Sequence, residues 1–174
     1  MRDKDNWLFN DGTGIPSTTD VPNFLNLNTM KKLDDVSWHL DSEEFYAGLP
    51  EENAATHIGF FVAWAINKGL WGTVPGIDWT AAVQRVRERA TTGRAFVLEE
   101  CDGKLFPTMF TDEGCAFANK YYPRTYLKDY DNTLVVGIAS GYLVADSWDN
   151  CERMAEVIEQ RYAESKAKPW WKVW

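Results

Sequence analysis

Histidine and cysteine are scarce in this chain of 174 residues, which holds two histidines, His39 and His57, and three cysteines, Cys101, Cys115 and Cys151. The cysteines are odd in number and widely spaced, with no Cys-x-x-Cys pair. That excludes a disulfide framework and the common thiolate zinc motifs, and leaves reduced thiols as the expectation. The histidines lie 18 residues apart rather than one helical turn apart, so the zinc-peptidase pattern is missing and no metal is expected. No Gly-x-Gly-x-x-Gly, Walker loop or Gly-x-Ser-x-Gly elbow occurs, which removes the usual supports for nucleotide chemistry and for the commonest esterase design. No cofactor is expected. The longest apolar run, Ile58 to Ile66, is nine residues including Gly59, far below the roughly 20 needed for a membrane-crossing helix. The first ten residues mix acids with apolar residues rather than placing a basic stretch before an apolar one, which predicts no signal peptide and a cytoplasmic location. Positive charge is also short: 18 basic against 26 acidic residues give a net charge of -8. This opposes non-specific nucleic-acid binding, where phosphate attraction supplies most of the affinity, and favours a basic partner.

Apolar and aromatic residues, by contrast, are plentiful, at 45% and 14% of the chain. That is enough to fill the core of one domain. The pattern predicts a mainly α fold with little or no sheet. An irregular arm covers 1–30, where Gly12, Gly14, Pro16 and Pro22 interrupt any periodicity. A single helical domain spans 31–167, and a Trp-rich tail covers 168–174. The central helix runs from about Pro50 to Lys68: proline and two acids suit its first turn, and Lys68-Gly69 suits its last. Because nearly every residue from Ile58 to Ile66 is apolar, this helix must be covered on all sides. Asp78 opens an amphipathic helix with Trp79, Ala82, Val83, Val86 and Ala90 inward. Residues 95–101 read as a short helix, with strand as the alternative. Thr111 caps a helix that Pro123 closes after Tyr122. Thr133 to Ile138 favours β structure but is too isolated to form a sheet, so it reads as extended or loop. Ser147 caps a long amphipathic helix with Trp148, Cys151, Met154, Ala155, Ile158 and Tyr162 inward.

Several groups carry potential chemistry. The two histidines have Asp34, Asp35 and Glu52 nearby in sequence, so an enzyme with a site around His39 and His57 is one reading; a hydrogen-bonded His57 on a buried helix is the plainer one. The pairs Asp34-Asp35 and Glu43-Glu44 suit either acid–base work or a solvated surface. Arg85, Arg87, Arg89 and Arg94 fit the solvent face of a helix better than an RNA site in so acidic a chain. Trp170, Trp171 and Trp174 fit either a strap docked on the core or an exposed anchor for a partner, since clustered exposed tryptophan is unusual and tryptophan is common in binding hot spots.

The stretch Asp34-Asp35-Val36-Ser37-Trp38-His39, the string Leu49-Pro50-Glu51-Glu52-Asn53-Ala54-Ala55-Thr56-His57-Ile58-Gly59, and later pieces such as Glu100-Cys101-Asp102-Gly103-Lys104 resemble a family of uncharacterised bacterial proteins. The likeness covers about residues 34–165. It implies a small cytosolic protein of the kind that accompanies bacterial antagonism systems, where an immunity protein neutralises a toxin. The expected function is therefore an immunity protein that binds a cognate, basic toxin or effector through protein contact, without nucleic acid or membrane as partner. The expected contacts are Asp34, Asp35, Glu43, Glu44, Glu51 and Glu52, with Trp170, Trp171 and Trp174 as a second anchor. The alternatives are the histidine-centred enzyme and a non-inhibitory effector adaptor of a secretion system.

Overall fold

The computed structural model describes residues 31–167, so the proposed arm at 1–30 and the Trp-rich tail lie outside the described residues. The chain organises itself around the apolar segment after Pro50. A 3-10 turn, Glu51–Ala55, feeds directly into helix α2, Thr56–Lys68. Gly69 ends it in the left-handed region, with φ 77 and its N–H donated to the carbonyls of Ala65 and Ile66, as a glycine at this position permits. Every residue from Thr56 to Ile66 is buried. Burial on all faces needs neighbours on all faces, and α3 (Thr80–Arg87), α4 (Gly93–Glu100) and α7 (Trp148–Ala167) supply them. The contact with α4 is the closest. A Cβ at Gly59 would lie 2.2 Å from the backbone N of Arg94, and one at Gly93 would lie 2.0 Å from the carbonyl of Gly59. The two glycines therefore let the start of α4 rest on the backbone of α2.

The remaining elements enclose this pair. A short helix α1, Val36–Leu40, comes directly after strand β1, Asp34–Asp35, which pairs antiparallel with β2, Lys104–Leu105, in the register Asp34 to Leu105 and Asp35 to Lys104. Helix α5, Asp112–Tyr121, is capped by the Thr111 hydroxyl, which accepts from the N–H of Gly114. Ser147 lies before α7, whose buried face is Cys151, Met154, Ile158 and Tyr162. The mainly α class, the central buried helix and the near absence of sheet agree with the sequence pattern. No described helix is long and apolar enough to cross a membrane.

Three local expectations are corrected. Pro123 does not close the fifth helix: Tyr122–Tyr126 widens into a π turn and continues into α6, Leu127–Leu134. A residue before proline is biased away from helix, yet Tyr122 keeps helical angles (φ -57, ψ -56). Burial of Tyr121, Tyr122, Tyr126 and Tyr130 outweighs the bias, because each ring removes about 150–250 Å² from water. Phe61 of α2 meets these rings at centroid distances of 4.9 Å to Tyr122 and 5.2 Å to Tyr126. Second, Thr133 and Leu134 belong to the end of α6, and the chain turns only beyond them, at Val136 and Gly137. Third, α3 stops at Arg87, and Arg89 takes a left-handed φ of 59, so Ala90 lies exposed beyond the helix instead of on its inner face.

The backbone contact between α2 and α4 predicts that Gly59→Ala lowers unfolding free energy by about 3 kcal/mol, the upper range for overpacking, since backbone rather than a flexible side chain blocks the methyl. Urea denaturation checks this, and an unchanged midpoint would contradict the packing described.

Candidate functional site

Asp34 is the residue on which the site is built. As part of β1 it is held by the ladder to β2, reinforced by Leu33 N–H to Leu105 O at 2.8 Å and Val36 N–H to Gly103 O at 2.9 Å. Only 4% of Asp34 is exposed. Its Oδ1 accepts from His39 Nε2 at 2.7 Å and from the Asp35 N–H at 2.8 Å. Its Oδ2 accepts from the Tyr122 hydroxyl at 2.7 Å and from His57 Nε2 at 3.1 Å. Four donors fill the lone-pair sites of one carboxylate. Burial alone would push this carboxyl upward, but the hydrogen bonds from His39 and His57 outweigh it and hold it well below the usual carboxylate range. It is ionised at neutral pH.

Each side-chain donor comes from a different part of the chain. His39 lies on α1, His57 in the first turn of α2, and Tyr122 at the start of the π turn. The two imidazoles meet edge to face, with centroids 4.5 Å apart. An ionised carboxylate only accepts, so each histidine uses its Nε2 as the donor. Burial lowers the pKa of His57, against the raising influence of Asp34, so its folded form is the neutral imidazole. Its backbone carbonyl accepts from the Tyr126 hydroxyl at 2.5 Å. No described group bonds its Nδ1. His39 Nδ1 lies 3.0 Å from the hydroxyl of Tyr142, which the 3-10 turn Gly141–Leu143 carries.

Beside the imidazoles lies a pocket of about 120 Å³, walled by His39, Glu44, His57, Tyr130, Asp131 and Tyr142, with Leu127 and Gly141 completing it. Among the described residues two carboxylates and no lysine or arginine line it. Burial and the repulsion of Glu44 raise the pKa of Asp131, with His57 acting in the opposite sense. Chemically, the arrangement offers a neutral imidazole oriented by a buried carboxylate and facing a small acidic space, which is the geometry of a positioned base or of a cation site.

The expected contact acids divide. Asp34 and Asp35 are not surface residues: β pairing and local donors bury both. Asp35 caps α1, accepting from the Ser37 N–H at 2.9 Å, and pairs with Lys32. Their expected role as solvated contacts is therefore corrected. Glu43, Glu44, Glu51 and Glu52 are exposed, and Glu44 also walls the pocket. Trp170, Trp171 and Trp174 lie outside the described residues. Three of the four arginines are spent on ion pairs, Arg85 with Glu99 and Glu100, Arg89 with Glu152, and Arg94 with Asp146, and Arg87 donates to the carbonyl of Ile66. Buried Cys101 and Cys151 have thiols pushed up to about 12 by desolvation, which makes both poor nucleophiles. Tyr122, Tyr130, Asp131 and Tyr142 are the site residues that sequence reasoning missed. The only local signal was the spacing of Tyr122, Tyr126 and Tyr130, which places three rings on one helical face.

The fold and site together define a mainly α-helical protein that encloses one aspartate and two histidines beneath a small acidic pocket. The chain belongs to the family described as a domain of unknown function (DUF7832), which matches residues 32–144. That interval contains the whole cluster and ends before α7. No curated protein and no solved structure matches the chain.

The geometry makes two outcomes testable. Asp34→Ala strands several buried donors and should cost about 3 kcal/mol of stability, as breaking a buried polar pair does; denaturant melts measure it, and a loss under about 1 kcal/mol would contradict the network. The second concerns pH. In the unfolded chain His57 binds its proton as pH falls through about 6.5, whereas the folded value is lower, so over that interval the unfolded state holds more protons. The stability contributed by the buried neutral ring is thus complete above pH 6.5 and lost below it, and Asp34 adds a loss of the same sign at lower pH. The urea midpoint should fall between pH 7.5 and 5.5, and His57→Gln should flatten that slope; identical slopes would contradict the assignment.

Proposed function

We propose that this chain is a protein-binding domain that neutralises a cognate bacterial toxin, an immunity protein that acts by covering its target rather than by chemistry. The observation that carries the reading is where the apolar surface lies. Among the described residues seven large hydrophobic side chains are exposed, and all except Ile77 fall in two segments, Trp38 and Tyr46 in one and Leu127, Val136, Ile138 and Leu143 in the other. Those segments meet. The Tyr46 hydroxyl donates to the carbonyl of Ala139 at 3.3 Å, the Ser140 hydroxyl donates to the carbonyl of Glu44 at 3.0 Å, and the Phe45 and Tyr142 rings pack at 5.2 Å. Exposed aromatic residues next to exposed acids are the ingredients of an interface with a basic protein: the rings act as anchors and the charges speed encounter. Trp38 is 54% exposed, which leaves ring surface free for a partner, and tryptophan is common among binding hot spots.

A second reading is favoured by the neutral His57 beside Asp34. In it the imidazole acts as a general base on a small substrate held in the acidic pocket. Pull-down of partners with the full-length chain, and then a toxin-inhibition assay, separates the two readings from each other and from a non-inhibitory adaptor. Replacing Glu43, Glu44, Glu51 and Glu52 together by lysine should slow association with the captured toxin roughly tenfold at low salt, with a smaller effect at high salt. An unchanged on-rate would overturn the steering argument. Deleting residues 168–174 tests the tryptophan anchor in the same assay.

A further inference from the structure

We propose that Asp34, His39 and His57 form a binding site for one divalent transition-metal ion of the zinc type, a property independent of toxin binding. One ligand atom from each of the three lies within 4.8 Å of the other two. Two imidazole nitrogens and one carboxylate oxygen are a set that suits zinc and its first-row neighbours rather than magnesium or calcium, which prefer oxygen alone. The ligands sit on β1, α1 and α2: backbone pairing anchors Asp34, burial anchors His57, and contacts with Asp34 and Tyr142 place His39, so the set is held before any ion arrives.

Charge supplies the second argument. Three aspartates are buried among the described residues: Asp34, Asp35 and Asp129. Asp35 pairs with Lys32, and Asp129 receives Arg161 through Nε at 2.8 Å and Nη2 at 3.0 Å. Among the described residues the ion pairs of Asp34 are to histidines alone. The pocket bordered by His39 and His57 adds negative charge through Glu44 and Asp131, and no lysine or arginine among the described residues lines it. A buried anion met by two imidazoles that themselves border an acidic pocket is a place where a cation is electrostatically favoured. The polar groups behind the ligands fit as well. Tyr142 stands at His39 Nδ1 and Tyr122 at Asp34 Oδ2, the outer contacts that orient metal ligands and fix their tautomer.

The protons balance simply. As the site stands, each Nε2–H points at Asp34. Ligation through Nε2 moves the imidazole proton to Nδ1 without net release, and at His39 the Tyr142 oxygen then accepts it. Tetrahedral bonds of about 2.0–2.1 Å set ligand atoms about 3.3 Å apart; His39 and His57 now meet different oxygens of Asp34, at 2.7 and 3.1 Å, and with one ligand atom from each residue within 4.8 Å of the others small side-chain shifts bring the three around one ion. His39 and His57 both border the pocket of about 120 Å³, which has room for water.

The test uses the full-length, tag-free chain stripped with a chelator, then titrated with Zn²⁺ by calorimetry and with Co²⁺ by visible absorption. One equivalent is expected to bind and to raise the melting temperature, with Co²⁺ showing tetrahedral d–d bands and no thiolate charge-transfer band. His39→Gln, at the more accessible ligand, should weaken Zn²⁺ binding at least tenfold while the helical circular dichroism is retained. Binding of less than a tenth of an equivalent, or equal affinity in the variant, overturns the proposal. So does a thiolate band, which would place the ion on a cysteine such as Cys115. If His39→Gln fails to fold, the Co²⁺ spectrum of the parent chain decides alone. Stabilisation by a small organic ammonium without any by Zn²⁺ also overturns it.

Discussion

One carboxylate, that of Asp34, ties together parts of the chain that lie far apart in sequence. Its four accepted hydrogen bonds reach α1 through His39, α2 through His57 and the π turn through Tyr122, while the N–H of Asp35 closes the fourth locally. A buried ionised group is costly unless its donors are complete. The requirement works in both directions: the chain must deliver those donors, and once delivered they fix where α1, α2 and the 122–126 turn stand relative to β1. The short β1–β2 ladder then has a purpose beyond its two residues per strand, since it sets the depth at which Asp34 enters the core.

The aromatic core explains how this junction is sheltered. Phe61 and the rings of Tyr122 and Tyr126 pack behind the carboxylate, and the Tyr126 hydroxyl binds the backbone of His57 itself. The same tyrosines that exclude water from the core present hydroxyls to the polar cluster. A phenylalanine at 122 would preserve the packing and lose the donor. Asp129 offers an internal contrast. It too is buried and receives a tyrosine hydroxyl, from Tyr121 at 2.9 Å, but Arg161 neutralises it and joins α6 to α7. That pair is a structural strut. Asp34 is met by imidazoles instead, and those imidazoles border an acidic pocket.

Much of the helical framework was legible in the sequence because it rests on local rules. The apolar run 58–66, the Lys68-Gly69 ending, the Thr111 cap and the amphipathic pattern after Ser147 each identify an element without reference to the rest of the chain. What was not legible depends on distant partners. Pro123 signals a stop on local grounds, and only burial of the surrounding tyrosines carries the helix past it. Adjacent aspartates read as solvated surface, and only a strand partner far along the chain, Lys104–Leu105, buries them. The site was half visible: His39 and His57 stood out by scarcity, with Asp34 beside one of them. Tyr122 and Tyr142 were hidden, because nothing near them in sequence says that a carboxylate waits 88 residues away and an imidazole 103 residues away.

The protonation pattern at the junction is the feature from which the stability, pH and ligand arguments all descend. Nitrogen-15 NMR of the imidazole rings in the metal-free protein reads it directly. The account predicts that at pH 7 His57 is neutral with its proton on Nε2, where Asp34 accepts it. A His57 that carries its proton on Nδ1, or that is doubly protonated at pH 7, would show that Asp34 does not organise the cluster as described.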